Sequence, residues 1–295
     1  MEESLLTVQN VTHCYPDKDD PKKHNIILNN INLGIGKGEI VGVVGPTGCG
    51  KTTLLKLIIG SEKPFQGFVY VNGKEVKGPG IDRGVVFQRY TLFPDRTVEE
   101  NVMFGLEVRE FYLLEPIWRP FRWWRKRKEF REQADHILGR VGLLEDRKKY
   151  PYELSGGMRQ RVAIAKAMVL CPPILLMDEP FGALDFSTRE KMQLFLIEQW
   201  QYEHQTTILV SHDLEEVLYL STRVIVVSPY YSNDDGSPSE GSKIVMDVPI
   251  NWKFPRPMDI KHSPEFNDLQ LKIKRIGLDP EYRQKVQQFD IRHTR

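Results

Sequence analysis

The chain has 295 residues, 40% of them hydrophobic and 27% charged, with 41 Lys+Arg against 40 Asp+Glu. This length and balance fit a globular protein with a sizeable core and exclude a disordered or collagen-like chain, and the net charge of +1 provides no whole-molecule attraction to nucleic acid. No run approaches the roughly 18 apolar residues of a membrane-spanning helix, the start MEESLLTV is unlike a signal peptide, and Cys14, Cys49 and Cys171 form neither a disulfide framework nor a zinc pattern, so a reducing cytoplasm is expected.

In chain order, PDKDDPKKH (Pro16 to His24) reads as a surface loop. Ile40 to Val44 is a continuous apolar run, as are Val85 to Phe87, Ile174 to Met177, Thr207 to Val210 and Val224 to Val227. Runs of this kind suit strands buried on both faces, hence a parallel sheet covered by helices. After the first run comes GPTGCGKTT, residues 45 to 53, which matches G-x-x-x-x-G-K-S/T and leads into the helical run Leu54 to Ile59. Gly45, Gly48 and Gly50 let the backbone curl around a phosphate and aim N–H groups at it, with Pro46, Thr47, Cys49 and Thr53 completing the loop. Lys51 adds a full charge for the β and γ phosphates, and the Thr52 hydroxyl suits Mg²⁺.

Asn72 to Gly84, with four glycines, reads as a loop. Between about 97 and 150 the strand signal vanishes and helix formers dominate, which predicts an inserted helical subdomain. LSGGMRQRVAIAKAM, residues 154 to 168, offers a second phosphate-facing helix start: Ser155 can cap it, and Gly156 and Gly157 leave its first N–H groups bare. Two anion cradles in one chain invite a partner subunit. The run ILLM ends in Asp178, able to hold Mg²⁺, and Glu179, able to orient or deprotonate an attacking water; acids here also serve as helix caps, and only with the phosphate loop do they read as a nucleotide hydrolase. His212 follows TTILV as Asp178 follows ILLM. SNDDGSPSEGS (Ser232 to Ser242) is a further loop, and Ser263 and Pro264 start a helix with Phe266, Leu269, Ile273 and Ile276 on one face.

With these motifs in this order, the sequence resembles the nucleotide-binding subunit of an ATP-binding cassette transporter over nearly its whole length. The resemblance implies an α/β fold: a P-loop NTPase core with a mostly parallel sheet over 1–96 and 151–228, an antiparallel β subdomain, a helical subdomain over 97–150 and a C-terminal extension over 229–295. It also implies roles. Tyr15 would stack on adenine, Gln88 would touch Mg²⁺ and the attacking water, Asp185 would lie at the dimer contact and His212 would reach the γ phosphate. LSGGMRQRVAIAKA, DEPFGALDFSTRE and the tail pieces VPINWKFPRP and HSPEF are similar to the importer branch for nitrate, aliphatic sulfonates, taurine and bicarbonate. Such ATPases bind ATP and Mg²⁺, pair with a second ATPase subunit and a separate permease at the inner face of the cell membrane, and depend indirectly on an extracytoplasmic solute-binding protein.

The sequence departs from that branch in two places: Pro94 is followed by Asp95 rather than tryptophan, and residues 108–130 are enlarged. The enlarged stretch contains WRPFRWWRKRK, residues 118 to 128, four aromatics among basic residues with no acid. Lipid or permease contact, tryptophans packed under a solvated basic face, and a nucleic-acid surface all suit such a composition. The rival function is a soluble cassette ATPase acting on nucleic acid or ribosomes. Such proteins usually have a very long coiled coil or two cassettes in one chain, and this sequence has neither, so no nucleic-acid partner is expected. A non-hydrolysing regulatory module is opposed by Glu179 and His212.

Overall fold

The computed structural model describes residues 4–17, 20, 22–88, 91–110 and 120–291, and the chain forms two compact units, Met1–Gly80 with Thr206–Arg295 and Ile81–Gln205. The first unit opens with β1 (Leu6–Pro16) and β2 (His24–Ile35), followed by β3 (Ile40–Val44), helix α1 (Lys51–Ile59), β4 (Gln66–Val71) and β5 (Lys74–Glu75). An antiparallel sheet of order β2-β1-β4-β5 results. In β1 the buried side chains are Leu6 and Val8 before a register shift, then Val11 and His13 after it. The extra residue is accommodated at Asn10 (φ 49°), and the bulge moves the odd-numbered residues onto the buried face. Across the sheet Gly67 (φ 81°) is required, because a Cβ there would collide with the Gln9 and Asn10 carbonyls. Residues 72–84, expected to be loop throughout, in fact contain β5: Asn72 (φ 50°) and Gly73 (φ 69°) form a two-residue turn that pairs Val71 with Lys74. An Asn-Gly pair between strands is the local signal for that hairpin.

The second unit contains β6 (Arg83–Val86), α2 (Val98–Glu110), α3 (Pro120–Arg140), α4 (Gly156–Met168), β7 (Ile174–Asp178) and α5 (Phe186–Glu203). β6 starts two residues earlier than the expected run and pairs parallel with β7. Helix α2 packs against both α3 and α4. The buried Asn101 side chain accepts from Phe93 N at 2.8 Å and donates to the carbonyls of Phe93, Arg96 and Thr97, fixing the approach to α2. Glu99 is buried between Arg131 Nε at 2.5 Å and Lys148 Nζ at 2.6 Å. Burial alone would raise its pKa, but the two hydrogen-bonded cations outweigh it and hold the carboxyl below its usual range. Of the basic-aromatic segment, Trp118 and Arg119 lie outside the described residues; the rest opens α3.

The chain then returns to the first unit with β8 (Thr206–Val210), α6 (Leu214–Leu220), β9 (Arg223–Ser228), β10 (Tyr231–Ser232), β11 (Lys243–Pro249), α7 (Pro264–Ile273), β12 (Gln284–Lys285) and β13 (Asp290–Ile291). Within this unit the sheet order is β13-β11-β9-β3-β8; β3 is parallel to both β8 and β9, and β11 is antiparallel to β9. Every residue of β3, β8 and β9 is buried, which accounts for their continuous apolar runs. Helix α6 presses so closely on β3 that a Cβ at Gly42 would collide with Val217. Residues beyond 228 thus contribute strands to this sheet. The Ser263 hydroxyl caps α7 by accepting from Phe266 N, and Phe266 and Ile273 are buried, Leu269 and Ile276 partly so.

One buried ion pair ties the late strands to the early ones. Arg223 on β9 donates through Nε and Nη2 to the two carboxylate oxygens of Asp247 on β11, both at 2.6 Å, and through Nη1 to the Gly34 carbonyl at 2.7 Å and Glu39 Oε2 at 3.1 Å. Asp247→Ala should cost about 3 kcal/mol, because it strips a bidentate partner from a buried cation, and Asp247→Asn, which keeps an acceptor, should cost less. Urea denaturation checks this; a loss from Asp247→Ala no larger than that from Asp247→Asn would contradict it.

Candidate functional site

The loop between β3 and α1 is built from conformations that only glycine adopts easily. Gly48 (φ 81°) and Gly50 (φ 94°) are left-handed, and Gly50 is the N-cap of α1, so no side chain occupies the first N–H groups of the helix. Gly45 is needed for space instead: a Cβ there would collide with the Val227 carbonyl and crowd Cys49 Sγ. Cys49 is buried, Thr47 is exposed, and Thr53 is buried on α1 while Thr52 is exposed. Lys51 Nζ reaches back over the loop, donating to the carbonyls of Gly45 at 2.8 Å and Pro46 at 3.0 Å. The cation therefore sits on the concave side of the loop that carries it.

Tyr15 lies at the end of β1, on the face selected by the bulge. Its hydroxyl donates to Glu62 Oε2 at 2.6 Å and is 3.5 Å from Thr53 Oγ1, and the His13 ring meets it edge-on at 5.0 Å. Burial and the neighbouring Glu62 carboxylate raise the Tyr15 pKa. Glu62 in turn accepts from Lys56 at 2.8 Å and lies 3.3 Å from His13 Nε2. Tyr15 and Thr53 are expected here from the sequence; His13 and Glu62 are not. For His13 a signal existed, since it stands two residues from Tyr15 on one strand face; Glu62, beyond α1, has none. Also in the first unit, His212 follows β8 and is exposed, and the next residue, Asp213, caps α6 by accepting from the N–H groups of Glu215 and Glu216.

In the second unit, Gln88 follows β6 and Glu179 follows β7, so parallel pairing places the two residues at the same ends of neighbouring strands. Gln88 Nε2 donates to Glu179 Oε2 at 2.8 Å. Glu179 takes a left-handed backbone conformation (φ 49°), a cost of order 1 kcal/mol for a residue with a side chain. Asp178, the last residue of β7, is buried. The Ser155 hydroxyl accepts from Met158 N at 3.2 Å, as a cap of α4 should, and the Gly157 Cα lies under the Ala183 carbonyl, close enough that a Cβ would be 3.3 Å away. Gly156 is the first residue of α4. Asp185 caps α5, accepting from Thr188 N at 3.0 Å and Ser187 Oγ at 2.9 Å, and these hydrogen bonds hold its pKa down to about 2.

Each unit by itself offers groups that suit part of a nucleoside triphosphate with Mg²⁺. In the first, the loop offers bare N–H groups, Lys51 supplies the positive charge and Thr52 a hydroxyl oxygen; in the second, Asp178 offers a carboxylate oxygen of the kind a hard cation prefers.

Comparison with known proteins agrees. The family model described as ABC transporter matches residues 28–182. An uncharacterised ABC transporter ATP-binding protein of Methanocaldococcus jannaschii is 47% identical over 223 residues, 76% of this chain and 77% of that protein. The nitrate import ATP-binding protein NrtD of Synechocystis is 42% identical over 82% of this chain and 84% of its own length, and the taurine import ATP-binding protein TauB of Escherichia coli O157:H7 is 41% identical over 74% and 79%. Among solved structures, a dimeric ATP-binding cassette in a post-hydrolysis state bound to ADP and Pi matches with a TM-score of 0.68 and 29% identity, over 84% of this chain and 100% of that one.

The two reasons for glycine in the loop can be separated. Gly48→Ala should cost about 1 kcal/mol of stability, since only backbone strain opposes it. Gly45→Ala should cost about 3 kcal/mol, because the main chain at Val227 must move. Urea midpoints of the two variants rank them, and the reverse order would disprove the steric account.

Proposed function

We propose that this chain, which belongs to the ABC transporter family and is its ATP-hydrolysing cassette, powers the import of a small anion of the nitrate, sulfonate, taurine or bicarbonate class. The class of cargo rests on relatives named for nitrate, aliphatic sulfonate and taurine import at 36–42% identity over most of the chain. No helix among the described residues is long and apolar enough to cross a membrane, so a separate permease would supply the solute path, and the cassette would work peripherally at the inner face of the cell membrane. A solute-binding protein outside would deliver the anion to that permease.

The observation that carries the hydrolytic reading is the Gln88–Glu179 hydrogen bond at 2.8 Å. Glu179, held from one side by the Gln88 amide, keeps a carboxylate to accept a proton from water or orient it, while Gln88 retains its carbonyl oxygen for a cation. The N–H groups of the 45–53 loop and Lys51 bind the β and γ phosphates, and Tyr15 stacks on the adenine. Thr52, Gln88 and Asp178 are the residues that would hold Mg²⁺, which when bound would neutralise charge on the phosphates. His212 contacts the γ phosphate. Ser155, Gly156 and Gly157 present the start of α4 to the nucleotide of a second subunit, with Asp185 at the dimer contact, so that two chains close over two ATP molecules and hydrolysis reopens them.

Glu179→Gln should keep ATP binding and lower turnover by about two orders of magnitude or more, leaving a stable ATP-bound dimer. Phosphate release and gel filtration with ATP read the two effects; turnover near wild type would remove Glu179 from its role. Lys51→Ala should weaken ATP binding itself, and Gly157→Asp should block the partner's nucleotide. Mixing these two inactive variants can give a dimer with one intact composite site, so partial recovery of ATPase is expected. No recovery, with mixed dimers demonstrated, would argue for a site built within one chain. Co-purification with a permease tests the transport reading.

A further inference from the structure

We infer that the first turns of α3 carry a docking face for an anionic lipid surface, made by Phe121, Trp124, Arg125 and Lys128. Their spacing of i, i+3, i+4 and i+7 puts them on one side of the helix. All four are exposed, Phe121 by 90% and Trp124 by 72%. The fold does not need them there. The helix already has a packing side, where Phe130, Ala134 and Leu138 are buried, Arg127 lies 5.0 Å from the Trp123 ring centre, and Arg127 donates to Glu107 on α2 at 3.2 Å.

Helix stability does not call for the cations either. The first turn of α3 has no acid, and basic residues crowd the end where the helix dipole opposes positive charge. Lys126 is engaged with Glu129 at 2.9 Å and Arg127 with Glu107, so these two cations have carboxylates to meet; residues 118–128 themselves contain no acid. Two exposed rings flanked by two exposed cations match the headgroup layer of a bilayer, where aromatic rings sit at the apolar boundary and cations meet anionic lipid. A net charge of +1 for the whole chain makes this a local concentration rather than a general basicity. The inference deepens the transporter reading, which brings the chain next to a membrane, but its test requires no permease.

The purified full-length protein is sedimented with vesicles of phosphatidylcholine alone or mixed equally with phosphatidylglycerol. Binding to the mixed vesicles, weakened by salt and missing from pure phosphatidylcholine, is expected. Arg125→Gln with Lys128→Gln should raise the lipid concentration for half-binding about thirtyfold, from roughly fivefold per cation. Phe121→Ala with Trp124→Ala should weaken binding at least tenfold, on the order of the area of two rings. Melting temperature and ATP hydrolysis without vesicles should stay at wild-type values for both pairs. Wild-type protein that ignores anionic vesicles, or variants that bind as tightly as wild type, would overturn the inference. So would lowered melting with binding intact, which marks a structural face, or single-stranded DNA binding lost in the variants without vesicle binding, which marks a nucleic-acid surface. Vesicle binding that persists where no permease co-purifies would leave the inference standing and count against the transporter reading instead.

Discussion

A phosphate chain held by main-chain N–H groups requires backbone that curls tightly with no side chain inside the curl. That requirement organises the first unit. It places Gly48 and Gly50 in left-handed conformations, puts Gly45 where only hydrogen fits beneath the Val227 carbonyl, and leaves α1 with a bare N-cap. A loop so poor in side chains has little to stabilise it on its own. Its rigidity comes from β3, buried along its whole length between β8 and β9 and pressed by α6 at Gly42. The core of this unit therefore serves as the mount for the six residues of loop, 45 to 50, and the first turn of α1.

Buried charge plays a different part in each unit. Arg223 joins β9, β11 and the end of β2 through one guanidinium, with its bidentate contact on Asp247, so the stretch beyond residue 228 is bound into the sheet that mounts the loop. A guanidinium suits this position because its fixed fork satisfies several acceptors at once. In the second unit Glu99 gathers Arg131 and Lys148, cations 32 and 49 residues away, around the start of α2. In both cases a buried ion specifies which segments meet, since a mispaired alternative would leave it desolvated without a partner.

The carboxylate–amide pair of the second unit is positioned by strand pairing rather than by loop chemistry. Val86 opposite Met177 sets the register, and the two chain segments leave β6 and β7 together. Glu179 stays in a left-handed conformation that few side-chain-bearing residues adopt, and strain of that kind clusters where a side chain must be aimed. The exposed rings of α3 are a second instance of local cost, this time hydrophobic area left in water on a helix whose other side is well packed.

The sequence by itself determined what depends on residues close together in the chain. The phosphate loop, the acids after ILLM, the Ser155 and Ser263 caps and the buried parallel strands follow from spacing and residue type, because backbone conformation and capping act over three or four residues. The Asn72-Gly73 hairpin was legible too, although four glycines disguise it as loop. Only the tertiary structure decided that Asp247, an acid inside the apolar run IVMDV, is a core residue held by the Arg223 guanidinium, and that residues past 228 extend the sheet. The same holds for Glu62 beside Tyr15 and for the bulge that turns His13 inward. Those outcomes rest on contacts between residues tens of positions apart, and burial of a polar group depends on the partner it meets, which local propensity does not encode.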